Sequence, residues 1–131
     1  MTGIQDPPNA ETATVDVLIV DDQPPFRAVA RTLVSLLAGW RVVAEAESGE
    51  DAVVAAERAA PALVLMDINL PGISGIEATR RITAARPDVR VVLMSTYAAD
   101  DLPADASNCG AAAYIRKEDL TPRGLRDVLS Q

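Results

Sequence analysis

Histidine is absent from the 131 residues, so no histidine-based triad, histidine-ligated zinc site or phosphohistidine can form within the chain. The single cysteine, Cys109, excludes an internal disulfide and any multi-cysteine zinc site, and it suits a reducing compartment. Basic residues are outnumbered, 12 Lys and Arg against 19 Asp and Glu for a net charge of −7. A surface that binds nucleic acid through counterion release needs clustered cations, so direct nucleic-acid binding by this chain is not expected. No apolar run approaches the ~20 residues of a membrane helix. The opening "MTGIQDPPNAETAT" lacks a basic segment before a hydrophobic one, so residues 1–14 read as a flexible tail and not as a signal peptide. A soluble, cytoplasmic protein without membrane contact is expected.

What the chain does have is alternation. A length of 131 residues suits one domain able to bury roughly 68 % of its unfolded surface. Short apolar runs, "VDVLIV" (15–20), "RVVAEA" (41–46), "ALVLM" (62–66), "VRVVLM" (89–94) and "AAYI" (112–115), read as five strands. Between the first two, Phe26, Val29, Ala30, Leu33, Leu36 and Leu37 recur at helical spacing up to Gly39, placed as a C-cap glycine. Ser48 with Asp51 opens a second helix through about Ala59, a third runs from about Ser74 to Ala85, and Thr121-Pro122 looks like the N-cap and N1 of a last helix ending near Ser130. The segment 98–111 should hold the remaining helix, the fourth of five. Pro103 fits only a first turn, so that helix is expected to be short or irregular. Strands one, three and four are near-continuous Val, Ile, Leu and Met, the pattern of parallel strands covered on both faces. With right-handed crossovers the simplest solution is an α/β fold with a doubly wound five-stranded parallel sheet over residues 15–131.

In such a sheet the carboxyl ends of the strands share one edge, where open α/β folds place their ligands. Strand one ends at Asp21 and Asp22, strand three at Asp67, strand four at Ser95 and Thr96, and strand five at Arg116 and Lys117. Each has a plain structural reading: Asp21 or Asp22 as a helix N-cap, Asp67 as an Asx-turn residue, Ser95 or Thr96 as a loop cap, Lys117 as a solvated lysine. Together they suggest more. Three clustered acids call for a hard divalent cation with oxygen ligands, and Mg²⁺ in particular goes with phosphate chemistry. A lysine and a hydroxyl beside it could satisfy a phosphoryl group, with Asp67 as nucleophile.

The pieces "VLIVDDQPPFR", "AEAESGEDAV", "LVLMDINLPGISGIEATRRI", "VVLMSTYA" and "GAAAYIRKEDL", in this order and spacing, resemble the receiver domain of bacterial two-component response regulators, with a flavodoxin-like sheet, in the style of receivers that precede a LuxR/NarL-type helix-turn-helix. The resemblance implies that Asp67 accepts a phosphoryl group from a sensor histidine kinase or a phosphotransfer protein. It also implies that Asp21, Asp22, Asp67 and the Asn69 backbone carbonyl hold Mg²⁺, that Ser95 and Lys117 contact the phosphoryl group, and that Ser95 and Tyr114 form the switch. An unidentified downstream protein would read the result, and a homodimer is among the assemblies the resemblance allows. Catalysis would be limited to the protein's own phosphorylation and dephosphorylation. The alternatives are a phosphorylation-independent interaction module and a Mg²⁺-dependent phosphatase; against the latter, Asn69 stands where aspartate-nucleophile hydrolases carry a second acid.

Several positions depart from the usual receiver pattern. Glu118 follows the site lysine where proline is common. Thr96 replaces the small residue after the switch hydroxyl, and Tyr97 could shield an acyl phosphate, so Asn69, Thr96 and Tyr97 are expected to tune hydrolysis and to make it slow. Pro103 and the acids around it make the face formed by the fourth helix, fifth strand and fifth helix atypical. No helix-turn-helix follows "LRDVLSQ", which leaves a stand-alone receiver or a receiver cut from a longer transcription factor, the complete-looking length favouring the first.

Overall fold

A computed structural model describes residues 14–96, 106 and 108–130. Along the chain run β1 (Val15–Val20), α1 (Pro24–Ser35), β2 (Trp40–Ala46), α2 (Gly49–Ala59), β3 (Leu63–Asp67), α3 (Gly75–Ala85), β4 (Arg90–Ser95), β5 (Ala113–Arg116), a 3₁₀ turn (Lys117–Asp119) and α4 (Pro122–Leu129). The strands form one sheet in the order β2-β1-β3-β4-β5 with every pair parallel. The doubly wound α/β fold expected from the strand pattern is the fold observed.

Because successive side chains leave a strand on opposite faces, the apolar runs serve two cores. Leu18, Val20, Val64, Met66 and Leu93 pack on Ala52 and Ala56 of α2 and on Ile76 and Ile82 of α3. Val17, Ile19, Leu63, Leu65, Val92 and Met94 pack on Ala30 and Val34 of α1 and on Leu125 and Val128 of α4. All five residues of β3 are buried, which explains why its sequence does not alternate. A fully buried Leu or Ile contributes about 1.5–3 kcal/mol, and this central strand is where such contributions concentrate.

Helix starts follow the sequence closely. Ser48 Oγ accepts from Asp51 N–H, Ser74 Oγ from Glu77 N–H and Thr121 Oγ1 from Gly124 N–H, each an N-cap that satisfies an orphan donor. The end of α1 differs from expectation. The helix stops at Ser35, and Leu36 and Leu37 fall in the following turn, Leu37 buried and Leu36 65 % exposed. Gly39, with φ of 83°, serves the turn into β2, where its carbonyl accepts from Val15 N–H. The expected tail lies outside the described residues apart from Thr14, as does the expected fourth helix apart from Ala106 and residues 108–111. Ala106 and Cys109 are buried against the α2–α3 side, and the Cys109 thiol donates to the Ala106 carbonyl. Among the described residues no helix is long and apolar enough to cross a membrane.

Candidate functional site

The carboxyl ends of β1 and β3 bring Asp21, Asp22 and Asp67 together, with ligand oxygens all within 4.8 Å of one another. Asp21 and Asp67 are buried and Asp22 is exposed. Two short-range bonds fix the buried pair. Asp21 Oδ1 accepts from Gln23 N–H at 2.8 Å, and Asp67 Oδ1 accepts from Asn69 N–H at 3.3 Å. Neither Asp21 nor Asp22 is the N-cap of α1: that residue is Gln23, whose side chain makes no capping bond, and Pro24 and Pro25 start the helix behind it. Arg27, one turn in, donates to the Asp21 carbonyl at 2.6 Å and is itself held by Glu45 at 3.1 Å.

Lys117 stands just past the end of β5 and reaches back across the strand ends. Its Nζ lies 2.7 Å from Asp21 Oδ2 and 3.5 Å from Asp67 Oδ2, with Gln23 Oε1 also at 3.5 Å. The contact with Asp21 is an ion pair without hydrogen-bond alignment, and Asp21 Oδ2 is buried with no hydrogen-bond partner. One ammonium, paired with Asp21 and Asp67, stands beside a cluster of three carboxylates. The result shows on Asp67: burial foremost, then the neighbouring Asp21 charge, push its carboxyl up to about 6, against the opposing pull of Lys117 and the Asn69 N–H. The cluster is thus rich in negative charge, and a buried carboxylate oxygen without a hydrogen-bond partner fits a small divalent cation.

The other described residues singled out from the sequence lie on or just past β3, β4 and β5. Ser95, buried, ends β4, where Met94 lies opposite Asp67 in the register and its carbonyl accepts from Ile68 N–H. Thr96 follows it and is exposed. Asn69 is exposed in the loop after β3. Tyr114 lies opposite Leu93 on β5 and is 38 % exposed, with its hydroxyl pushed above the ordinary phenol range by burial and by Cys109. Tyr97 and Pro103 lie outside the described residues.

Sequence reading passed over three supports. Phe26, assigned to a helix stripe, lies under Lys117, whose Nζ is 4.6 Å from the ring centroid. Glu50 in the first turn of α2 accepts from Ile73 N–H at 3.1 Å and so ties down the loop that follows Asp67. Gly75 packs so tightly on the end of β3 that a Cβ there would meet the Asp67 carbonyl oxygen at 2.0 Å. A signal for the last was available: three breakers, Pro71, Gly72 and Gly75, crowd one loop.

A parallel five-stranded sheet with three acids, a hydroxyl and a lysine at its carboxyl edge defines a class, and residues 17–129 match the response regulator receiver domain; the chain belongs to this family, the receivers of two-component signalling. Among its relatives is the response regulator UvrY of Escherichia coli K12, 41 % identical over 79 % of this chain and 47 % of that protein. Solved structures that resemble it include a LuxR-family two-component response regulator from Aurantimonas sp. SI85-9A1, with a TM-score of 0.79 and 31 % identity over 90 % of this chain and 84 % of that one. The receiver domain of the putative response regulator NarL from Mycobacterium tuberculosis gives 0.78 and 27 % over 90 % and 98 %. The chain spans about half the length of the curated relatives it matches.

Proposed function

We propose that this receiver takes a phosphoryl group on Asp67 from a phosphohistidine of a sensor kinase or phosphotransfer protein, and thereby changes the surface it offers to a downstream protein in the cytoplasm. The observation that carries the reading is the convergence of Asp21, Asp22 and Asp67 within 4.8 Å, with Lys117 3.5 Å from Asp67. A carboxylate oxygen of Asp67 attacks phosphorus, the O–P bond forms as the P–N bond to the donor imidazole breaks, and the departing nitrogen keeps the electron pair and takes up a proton. Water later attacks the same phosphorus, releasing inorganic phosphate and restoring the carboxylate. The protein's catalysis is confined to these two steps.

Attack requires ionised Asp67, and a carboxyl titrating at about 6 is ionised at neutral pH while more basic than an ordinary aspartate. Asp21, Asp22 and Asp67, with the Asn69 carbonyl, would hold Mg²⁺, which supplies positive charge against the phosphoryl oxygens. Lys117 and Ser95 supply a cation and a donor on the side of β4 and β5. Asn69 and Thr96, at the exposed rim, and Tyr97 tune the access of water. Tyr114 follows Ser95 once the hydroxyl is drawn to the phosphoryl group. Reversing an equilibrium from 1:99 to 99:1 takes about 5.5 kcal/mol, so the contacts to the phosphoryl group must form together.

Intact mass after incubation with Mg²⁺ and a small acyl phosphate tests the reading. Wild type should gain one phosphoryl group and Asp67→Asn none. A stable adduct on Asp67→Asn, or none on wild type with either acyl phosphate or a phosphorylated kinase, refutes it.

A further inference from the structure

The Lys117 ammonium is pulled in two directions. Asp21 Oδ2 is nearer, at 2.7 Å, than Asp67 Oδ2, at 3.5 Å, and the nearer charge attracts more strongly. Asp21 follows β1, three strands from β5, and Asp67 ends β3, two strands away, so the side chain lies extended across the strand ends, which costs most of its rotamer freedom. At 2.7 Å the ammonium is already in contact with Asp21, so what has to be held is the extended side chain, whose other rotamers leave the site. A third contact is the face of Phe26, with Nζ 4.6 Å from the ring centroid, inside the range in which a ring quadrupole attracts a cation. The attraction is little screened, because the lysine side chain is only 11 % exposed. The ring is fixed in turn: Pro24 and Pro25 set the first turn of α1, and Phe26 packs against the core beneath that helix.

We infer that Phe26 is a positioning residue, its ring holding the Lys117 side chain across the strand ends, with the ammonium against Asp21 and 3.5 Å from Asp67, where it can meet a phosphoryl group on Asp67. The inference rests on the function proposed above. Without the ring the side chain is freer to leave the strand ends, with two effects. Asp67 loses its cation, and Asp21 Oδ2 becomes more available to Mg²⁺.

The test is a double-mutant cycle of Phe26→Leu with Lys117→Met, read by the calorimetric affinity for Mg²⁺ alone and by the rate of phosphoryl uptake at saturating Mg²⁺. Phe26→Leu should slow phosphoryl uptake and tighten Mg²⁺ binding, each by about threefold to tenfold. Phe26→Tyr, which keeps a π face, should stay within about twofold of wild type. In the Lys117→Met background, where phosphoryl uptake is lost, Phe26→Leu should leave the Mg²⁺ affinity unchanged, because no ammonium remains to hold; Phe26→Met serves in place of Phe26→Leu if the latter does not fold. An undiminished effect in the Lys117→Met background, or none in the wild-type background, overturns the inference. If wild type binds Mg²⁺ but takes no phosphoryl group, the proposed function falls while the Mg²⁺ cycle still judges Phe26. If wild type does not bind Mg²⁺, the NMR shift of the Lys117 ε-methylene protons decides. An upfield ring-current displacement lost in Phe26→Leu and kept in Phe26→Tyr supports the contact, and its absence in wild type refutes it.

Discussion

The ammonium of Lys117 sits 2.7 Å from Asp21 Oδ2, on a buried carboxylate oxygen that hydrogen-bonds nothing. It occupies the place of a counter-ion, and a metal cation entering the cluster has to share that oxygen with it or displace it. Lys117→Met should therefore bind Mg²⁺ more tightly than wild type, by about threefold to tenfold at low salt, even though it is expected to lose phosphoryl transfer. Isothermal titration with MgCl₂ checks this; equal or weaker binding would show that the lysine does not compete.

Asp67 gives the metal-free protein a defined pH dependence. Its carboxyl titrates at about 6 when folded against an ordinary value of 3.8, so the folded state binds the proton more tightly than the unfolded state. By linkage, stability falls as pH rises from about 4 through about 6, and the penalty is complete above that window. Asp67→Asn escapes it. Without Mg²⁺ the variant should unfold a few degrees above wild type at pH 7.5, a gain of about 1 kcal/mol once the effect is discounted for solvent screening at the open strand edge and for the lost pairing with Lys117, and the two should converge near pH 4. Thermal melts at both pH values measure the difference.

Gly75 should tolerate no side chain. A Cβ would stand 2.0 Å from the Asp67 carbonyl oxygen, which is backbone at the end of a buried strand and has no room to yield. Gly75→Ala should cost about 2–3 kcal/mol, seen as a lower urea midpoint with an unchanged slope. Because the clash bears on Asp67 itself, Mg²⁺ affinity should fall as well. A variant with wild-type midpoint and affinity would mean that the loop re-forms around the methyl group.

Ser95→Ala should separate phosphorylation from switching. The hydroxyl lies on β4 beside the acceptor strand, whereas the nucleophile ends β3 and its acidic neighbours follow β1. The variant should still gain the phosphoryl mass, but the environment of Tyr114 should no longer change on phosphorylation. Aromatic NMR resonances of Tyr114 before and after beryllofluoride addition read this out, and an unaltered response in Ser95→Ala would remove the serine from the switch.

The sheet and the site's charged residues were legible for one reason: a parallel sheet sends every functional side chain to the strand end that follows an apolar run, so Asp67 after "LVLM" and Ser95 after "VVLM" announce themselves. What stayed hidden depends on contacts between distant segments. Phe26 fits a helix stripe as well as a seat for Lys117, which is 91 residues further on. Glu50 reads as an ordinary acid in a first turn until Ile73 is brought to it. The stop of α1 at Ser35 was missed because Leu36 and Leu37 extend the helical spacing, and a burial pattern alone cannot tell a last turn from the turn after it.

The two buried acids share a further property. Asp21 and Asp67 each bond the amide two residues ahead, closing a side-chain ring of the size of a backbone β-turn. A glutamate would add one atom to that ring and fail to close it in the same way. Aspartate at both positions is thus suited to ring closure before any ligand arrives: the shortest acid builds the turn, and the turn aims the acid.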